Sequence, residues 1–197
     1  MNYLLQAVAT LIQVIFGIYL FMLMLRFLFQ LIRADFYNPV SQAIVKVTAP
    51  PLKLLRRVIP GYRGIDIACI VLMLLVQLLE LLILSLLVYG VVPYLPSLLI
   101  LSIASLLQLC IYIYIGAILI GVIISWVNPG AYNPITVLIY QLTEPMLRIA
   151  RRRLPDLGGL DFSPMVVTLV LFLVLSLVVA PLFDLGSSLG TMSQRLP

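Results

Sequence analysis

Two charged residues lie within apolar runs that are long enough to cross a lipid bilayer. Arg26 follows 25 uncharged residues, and Glu80 lies near the middle of a second apolar stretch. A carboxylate at that depth is costly and usually has a partner or a function. Glu80 therefore predicts either an ion or proton site or a hydrogen-bonded, protonated group that joins two helices. Its candidate partners are Gln77, Gln108 and Arg26, although Arg26 is nearer to the membrane surface and would need a long reach.

Most of the other basic residues form two clusters. Ten of the twelve Lys and Arg residues lie in 33–63 and 148–153. This distribution is typical of cytoplasmic loops beside membrane spans, and each cation there favours anionic lipid by about 1 kcal/mol. A nucleic-acid partner is not expected, because no groove-reading element or stacking platform accompanies the charge. The candidate residues for binding lipid or a partner are Lys46, Lys53, Arg56, Arg57, Arg148, Arg151, Arg152 and Arg153.

Both clusters belong to a segment that occurs twice. Residues 37–66 and 132–161 align without a gap at a spacing of 95, with 12 identical residues in 30. Such a period indicates a duplicated unit. In each copy the Asn-Pro pair predicts a helix start, because Asn caps well and the first turn does not use the N–H that Pro lacks. The shared motif residues are Tyr37, Asn38, Pro39, Pro50, Pro60, Gly64 and Asp66, and Tyr132, Asn133, Pro134, Pro145, Pro155, Gly159 and Asp161.

The acidic residue that ends the motif precedes an apolar run in both copies. We expect the carboxylates of Asp66 and Asp161 to cap the helices that follow them. Each can also pair with the Arg-Arg doublet of its own copy, ten residues earlier. Binding of a cation by these carboxylates is the alternative.

The residue types that most enzymes use are scarce in this chain. It contains no histidine, and its two cysteines, Cys69 and Cys110, lie in apolar runs at positions that are not equivalent in the repeat. A phosphate-binding glycine loop, HExxH and CxxC are all absent from the sequence. We therefore expect a protein that is not an enzyme, with no catalytic residue, cofactor or metal site.

Four apolar runs must position these groups. The chain is 63% hydrophobic and only 10% charged, whereas a soluble domain has about 25% charged residues. The predicted spans are 4–32, 67–92, 98–127 and 162–183. Each basic segment is too short and too polar to span, and predicts an amphipathic helix in the headgroup plane. The first is expected to be bent or interrupted at Pro50, and whether these segments lie on the membrane or re-enter it is left open.

The expected fold is an all-α membrane protein with four transmembrane helices in two parallel repeats. The first repeat is 1–95 and the second is 96–184, each with a span, an amphipathic segment and a second span. Residues 185–197 are predicted to form a polar, mobile tail. The positive-inside rule places both basic segments in the cytoplasm and both termini outside.

The doubled pattern Tyr-Asn-Pro, Thr-x-Pro, Arg-Arg, Pro and Gly-x-Asp resembles the YggT family of small bacterial inner-membrane proteins, to which the YlmG branch of cyanobacteria and plastids is related. The likeness covers nearly the whole chain, in a two-repeat form. It implies a multi-pass protein of the plasma membrane with no established catalytic activity. Family members are linked to osmotic stress and cation homeostasis, to cell division, and in plastids to assembly of a cytochrome complex.

Two functional hypotheses follow from these observations. The first is a non-enzymatic membrane protein whose amphipathic segments bind anionic headgroups, or a membrane-protein partner or a second copy of the chain. It would thereby support osmotic or envelope homeostasis or the assembly of a membrane complex. The alternative is an oligomeric ion channel or cation-transport accessory that uses Glu80.

Overall fold

The structure, a computed structural model, describes residues 3–35, 37–61, 65–128, 130, 133–154 and 161–193, with side chains to residue 190. Four residues of the sequence motif, Gly64, Tyr132, Pro155 and Gly159, lie outside these ranges. Every regular element in them is helical. The helices are α1 (Tyr3–Leu31), α2 (Pro39–Leu55), α3 (Ile67–Tyr89), α4 (Leu95–Val127), α5 (Pro134–Arg151), α6 (Ser163–Val174) and α7 (Ala180–Ser193), with a π-helical turn at Leu175–Val179 between the last two.

Four helical stretches are long and apolar enough to cross a membrane. They are Tyr3–Leu31, Ile67–Tyr89, Leu95–Val127 and Ser163–Gly190. Large apolar side chains on these stretches stay exposed, such as Leu11 and Leu169, which are 61% and 55% exposed. A surface of this kind is stable against lipid rather than water. The sequence-based prediction of an all-α membrane protein with four spans is therefore confirmed.

The core lies where α1, α3 and α4 meet, and the short helices close one end of it. Leu23 of α1, Ile118 of α4 and Leu52 of α2 have 0–1% of their surface exposed and belong to the same cluster. The α3 helix ends at Tyr89 because Gly90 adopts a left-handed conformation, with φ 66°, which favours glycine. Because each repeat crosses twice, the two repeats have the same orientation.

The α2 helix runs without interruption through Pro50 and Pro51, so of the predicted bend or interruption at Pro50 the interruption is wrong. Each proline removes one backbone hydrogen bond and crowds the preceding turn. Tertiary contacts on both sides of the prolines offset this cost. Thr48 and Leu52 are fully buried, and Arg26 of α1 donates to the carbonyl oxygen of Val45 at 3.3 Å.

The segment predicted to be a polar, mobile tail is also different in the structure. Residues 184–193 continue the last span as α7, which packs along the first turns of α4. Ser97 Oγ donates to the carbonyl oxygen of Gly186 at 2.6 Å, and a Cβ atom on Gly186 would lie 2.8 Å from Leu101 Cγ. Gly186 and Gly190 are four residues apart, the spacing that lets two membrane helices approach closely. The polar composition of this segment therefore reflects helix packing.

Candidate functional site

The first turns of α2 and α5 are built in the same way and touch each other. Asn38 Oδ1 accepts a hydrogen bond from Val40 N at 2.9 Å, and Asn133 Oδ1 accepts one from Thr136 N at 2.9 Å. The predicted Asn-Pro helix starts are therefore present in both copies. Asn38 also donates from Nδ2 to the carbonyl oxygen of Pro134 at 2.6 Å. This bond joins the two repeats at the beginnings of their short helices.

Two buried hydroxyl groups occupy equivalent positions three residues after the capping Asn. Ser41 is 4% exposed and Thr136 is 2% exposed. Neither hydroxyl has a hydrogen-bond partner among the described residues. A buried hydroxyl without a partner costs free energy and calls for an explanation. Sequence reasoning missed this pair, although a small hydroxyl residue at the same position of both copies was the available signal.

The eight basic candidates all lie on the solvent-accessible sides of the short helices. Lys46, Lys53, Arg56 and Arg57 are exposed on α2 or directly after it, while Ser41, Ile44, Thr48 and Leu52 are buried. On α5 the exposed cations gather at the end, as Arg148 and Arg151 to Arg153. The buried side of α2 packs on α1 and α3, so its exposed cations are the groups that can face anionic headgroups.

Carboxylates neutralise part of this charge. Asp66 caps α3, with Oδ1 accepting from Cys69 N at 3.3 Å, and forms an ion pair with Arg56. Asp161 accepts from Ser163 N at 2.9 Å and from Arg151 Nε at 2.9 Å. The structure therefore shows the expected ion pair for both motif Asp residues, but the expected cap only at Asp66, because the N-cap position of α6 is Phe162 and Asp161 precedes it. Lys46, Lys53 and Arg57 have no carboxylate within ion-pair distance in the described part of the chain.

The second copy adds a carboxylate that the first lacks. Glu144, which stands where the first copy has Ala49, contacts Arg151 at 3.0 Å and Arg148 at 3.5 Å. Partial burial raises the pKa of Asp161, but its hydrogen bonds with Ser163 and Arg151 outweigh this effect and hold that pKa below its usual value. Burial likewise acts to lower the pKa of Arg151, whereas its bonds to Asp161 and Glu144 raise it overall.

Arg26 and Glu80, the charged residues of the first two spans, do not pair with each other. Arg26 is 9% exposed, and its Nη1 donates to Thr48 Oγ1 at 2.7 Å. Glu80 is 8% exposed and accepts from Gln77 Nε2 at 3.0 Å on the same helix. Of the three partners suggested from the sequence, Gln77 is the one that contacts Glu80. Arg26 instead links α1 to α2 through its hydrogen bonds to Val45 and Thr48.

Two adjoining cavities lie beside the starts of the short helices. One, of about 340 Å³, is bordered by Asn133, Pro134 and Thr136. The other, of about 360 Å³, lies between α1 and α4 and is lined almost wholly by apolar side chains. Val40, Ile120, Ile135 and Ile139 line both. Volumes above about 300 Å³ are in the range of small-molecule sites.

These cavities offer little to a metal ion. Within the described ranges no group of three His, Cys, Asp or Glu residues converges. Both cysteines are free thiols; Cys69 is buried and Cys110 is partly buried. The arrangement can hold an apolar molecule with a polar end, and its cationic helices can attract an anion.

Helices, spans and site together define a multi-pass helical membrane protein made of two like-oriented repeats. The family model described as CCB3/YggT matches the chain twice, at residues 5–87 and 100–182, which reproduces the spacing of 95. The chain belongs to the CCB3/YggT family, and the resemblance found in the motif residues is confirmed.

Several bacterial relatives match most of the chain. An uncharacterized protein of Pseudomonas aeruginosa is 48% identical over 169 residues, covering 85% of this chain and 86% of the relative. The uncharacterized protein YggT of Escherichia coli K12 is 37% identical over 164 residues, covering 83% and 85%. An uncharacterized protein of Vibrio alginolyticus is 38% identical over 162 residues, covering 82% and 87%. No solved structure matches the chain.

Proposed function

We propose that this is a non-enzymatic protein of the bacterial inner membrane whose short helices bind anionic lipid headgroups at the cytoplasmic face. Through them it would support envelope or osmotic homeostasis or the assembly of a membrane complex. The observation that carries the proposal is the exposure of all eight cluster cations on or directly after two repeated helices. Three of those on the α2 side have no carboxylate partner in the described ranges.

The physical argument rests on charge and position. Both termini of α2 and α5 are tied to membrane spans, so these helices are held near the headgroups whatever their intrinsic affinity. Each unpaired cation there gains about 1 kcal/mol from an anionic surface. The same charge favours a cytoplasmic location for both helices. A second protein with an acidic membrane-facing surface would be held by the same residues.

The test compares lipid retention by charge variants. Wild-type protein, a variant with Lys46, Lys53, Arg57 and Arg152 changed to Gln, and one in which all four positions are Arg are reconstituted in vesicles of equal phosphatidylglycerol and phosphatidylcholine. Native mass spectrometry then counts the lipids retained. We expect wild type and the all-Arg variant to retain phosphatidylglycerol preferentially and the Gln variant to lose this preference. Equal preference in all three proteins would refute the proposal.

A channel or cation-transport accessory is the second candidate. It is favoured by the burial of Glu80 within a span with no cationic partner in the described ranges. Against it, Glu80 lines neither of the two cavities. Potassium and sodium flux through the reconstituted protein, compared with the Glu80→Gln variant, decides between the two. Flux that depends on Glu80 would establish the channel, and no flux under either gradient would exclude it.

A further inference from the structure

One face of α1 carries a stripe of polar and small residues, which we call the α1 stripe. Its members are spaced by three or four residues and therefore lie on the same side of the helix. They are Gln6, Thr10, Gln13 and Gly17. The first three are exposed and Gly17 is half-buried. A Cβ atom on Gly17 would meet nothing within 4 Å, so this side of the helix is open.

The α1 stripe continues a face that the chain itself covers elsewhere. At the same spacing it leads into Leu20, Met24 and Leu28, which are 2–4% exposed. These three residues lie in the half of α1 that approaches the short helices. The described residues therefore cover this face in one half of α1 and leave it open in the other.

Gln13 lies deep in the membrane. Cys69 Sγ donates to the carbonyl oxygen of Leu23 at 3.7 Å, so Leu23 is level with the first turn of α3. Gln13 lies about 15 Å further into the span, at 1.5 Å per residue, and the hydrocarbon core is about 30 Å thick. Neither Gln6 nor Gln13 has a side-chain hydrogen bond to any residue that the structure describes. An amide that faces hydrocarbon without a partner is costly, so this face calls for one.

The second repeat satisfies the equivalent glutamine within one helix. Gln108, the counterpart of Gln13, donates to the hydroxyl oxygen of Tyr112 at 3.3 Å. The first repeat has Gly17 where the second has Tyr112, so Gln13 lacks this partner. The glycine also removes side-chain volume from the surface, which lets another helix approach closely.

The second repeat also covers the start of its first span, whereas the first repeat does not. Leu101, the counterpart of Gln6, lies against Gly186 of α7. In the first repeat α3 ends at Tyr89, while α7 continues past the equivalent position. A helix from another molecule can therefore occupy the corresponding place beside α1.

We propose that the α1 stripe is the interface of a homodimer, in which Gln13 of one copy lies opposite Gln13 of the other. Two copies with the same orientation in the membrane bring these helices together in parallel, about a two-fold axis along the membrane normal. Residues at one depth then face their own counterparts. A glutamine amide both donates and accepts, so it can pair with a second glutamine.

The charge distribution agrees with a second copy as the occupant. No charged residue occurs in 1–25, so the exposed half of α1 does not repel its own copy and offers no ion pair to a charged partner. The basic segments, 33–63 and 148–153, belong to the other end of the spans. Lipid is the poorer cover, because hydrocarbon offers the amide no hydrogen bond.

Dimerisation is measured in vesicles by single-molecule photobleaching. Full-length protein with one fluorophore per chain is reconstituted at a series of protein-to-lipid ratios, and the fraction of dimers gives a dissociation constant. Gln13→Leu should weaken dimerisation about three- to tenfold, because the hydrogen bonds between the two amides are lost. Gln108→Leu removes the same group from the second repeat and should leave the dissociation constant unchanged.

A second variant gives α1 the residue of the second repeat. Gly17→Tyr supplies a partner for Gln13 within its own helix and fills the open side, and should weaken dimerisation at least about tenfold. Gly116→Tyr, at a helical glycine of α4 with equally open surroundings, is its control. Melting temperatures in excess detergent, where each micelle holds one copy, confirm that every variant is folded.

Cysteine crosslinking locates the contact. In a background with Cys69 and Cys110 changed to Ala, Gln13→Cys and Ile15→Cys each introduce one thiol, which is oxidised in vesicles. Ile15 is 65% exposed at nearly the same depth, but it lies on the side of α1 away from the stripe. We expect Gln13→Cys to form disulfide-linked dimers much faster than Ile15→Cys.

Three results would overturn this inference. The first is wild-type protein that stays monomeric at every protein-to-lipid ratio. The second is a dimer that Gln13→Leu and Gln108→Leu affect equally, and the third is equally fast crosslinking through Ile15→Cys, either of which would place the contact on another face. The headgroup proposal is tested by the charge variants and would survive all three results.

Discussion

The two repeats attach their short helices to the spans by different means. In the first repeat Arg26 of α1 reaches α2 and donates to Thr48 and to the carbonyl oxygen of Val45. In the second repeat the residue equivalent to Arg26 is Gly121, where an added Cβ atom would lie 3.6 Å from Ile139 Cγ2 and 3.8 Å from Tyr140 Cε1 of α5. The short helix is thus held in one copy by a buried cation, whereas in the other α5 packs on α4 without one at this position.

The ion pairs of the two motif Asp residues also differ between the repeats. Asp66 has a side chain only 4% exposed and is paired with Arg56, whereas Asp161 is 44% exposed and shares Arg151 with Glu144. The first repeat has therefore buried its polar contacts, and the second has left them at the surface. Substitutions at equivalent positions should consequently have unequal effects.

The largest effect is expected at the end of the last span, where the second repeat extends beyond the length of the first. Gly186→Leu places a side chain against Leu101 at a site where a Cβ atom would already lie 2.8 Å away. We expect a loss of about 3 kcal/mol in unfolding free energy, at the upper end of the usual range for overpacking. Unfolding in mixed micelles measures it, with Gly17→Leu as a control that should cost far less. Equal stability of both variants would show that α7 does not pack on α4.

The second largest loss of stability is expected at the motif carboxylates, Asp66 and Asp161. Asp66→Asn keeps a capping oxygen but removes the charge that Arg56 requires, and should cost about 1.5–3 kcal/mol. Asp161→Asn should cost less than about 1 kcal/mol, because solvent screens an exposed pair. The same unfolding assay compares them. If the Asp161 variant were the less stable one, the assignment of the buried contact to the first repeat would be wrong.

A smaller difference is expected between the two motif threonines. Thr48→Val deprives the buried guanidinium of Arg26 of one acceptor and should cost about 1–2 kcal/mol. Thr143 donates only to the carbonyl oxygen of Ile139 four residues earlier, a local bond that contributes little. Thr143→Val should therefore be nearly neutral by melting temperature. Similar losses in both would mean that Arg26 does not depend on Thr48.

The smallest expected effect is the loss, at acid pH, of the stability that Asp161 contributes to the second repeat. The pKa of Asp161 is lowered in the folded protein, so its contribution is fully present above the usual carboxylate pKa and disappears as the pH falls through the lowered value. The stability difference between wild type and Asp161→Asn should shrink from pH 7 to about pH 3. Melting temperatures across this range measure it. A difference that grows at low pH would contradict the pairing with Arg151.

The sequence predicted the spans, the helix starts and the caps because each depends on local chemistry. Long uncharged runs indicate membrane crossing, and Asn38 and Asp66 act on residues two or three positions away. The predictions from the sequence were wrong where contacts between residues distant in the chain determine the local structure. Pro50 was expected to bend or interrupt a helix that continues through it, with Leu52 buried and Arg26 bonded to Val45. Gly186 was assigned to a mobile tail, although Ser97 of α4 donates to its carbonyl oxygen.

The cavities and the isolation of the two hydroxyls from partners likewise depend on contacts between residues that are distant in the chain. Ser41 and Thr136 occupy ordinary first-turn positions, and their isolation from partners depends on how α2 and α5 meet. The larger cavity is lined by Phe21 and by Gly116, its equivalent in the second repeat. A comparison of the two copies, position by position, would have marked Gly116 as a place where side-chain volume is lost.

The hydrogen bond from Asn38 to the carbonyl oxygen of Pro134 also has a consequence for a protein that has only one repeat. Pro134 is the counterpart of Pro39, the residue that follows Asn38. A chain with a single repeat could therefore make this bond only between two molecules, as a dimer related by an axis along the membrane normal. Joining the copies in one chain makes that association intramolecular and independent of concentration. It also leaves each half free to change alone, as Arg26 and Gly121 have done.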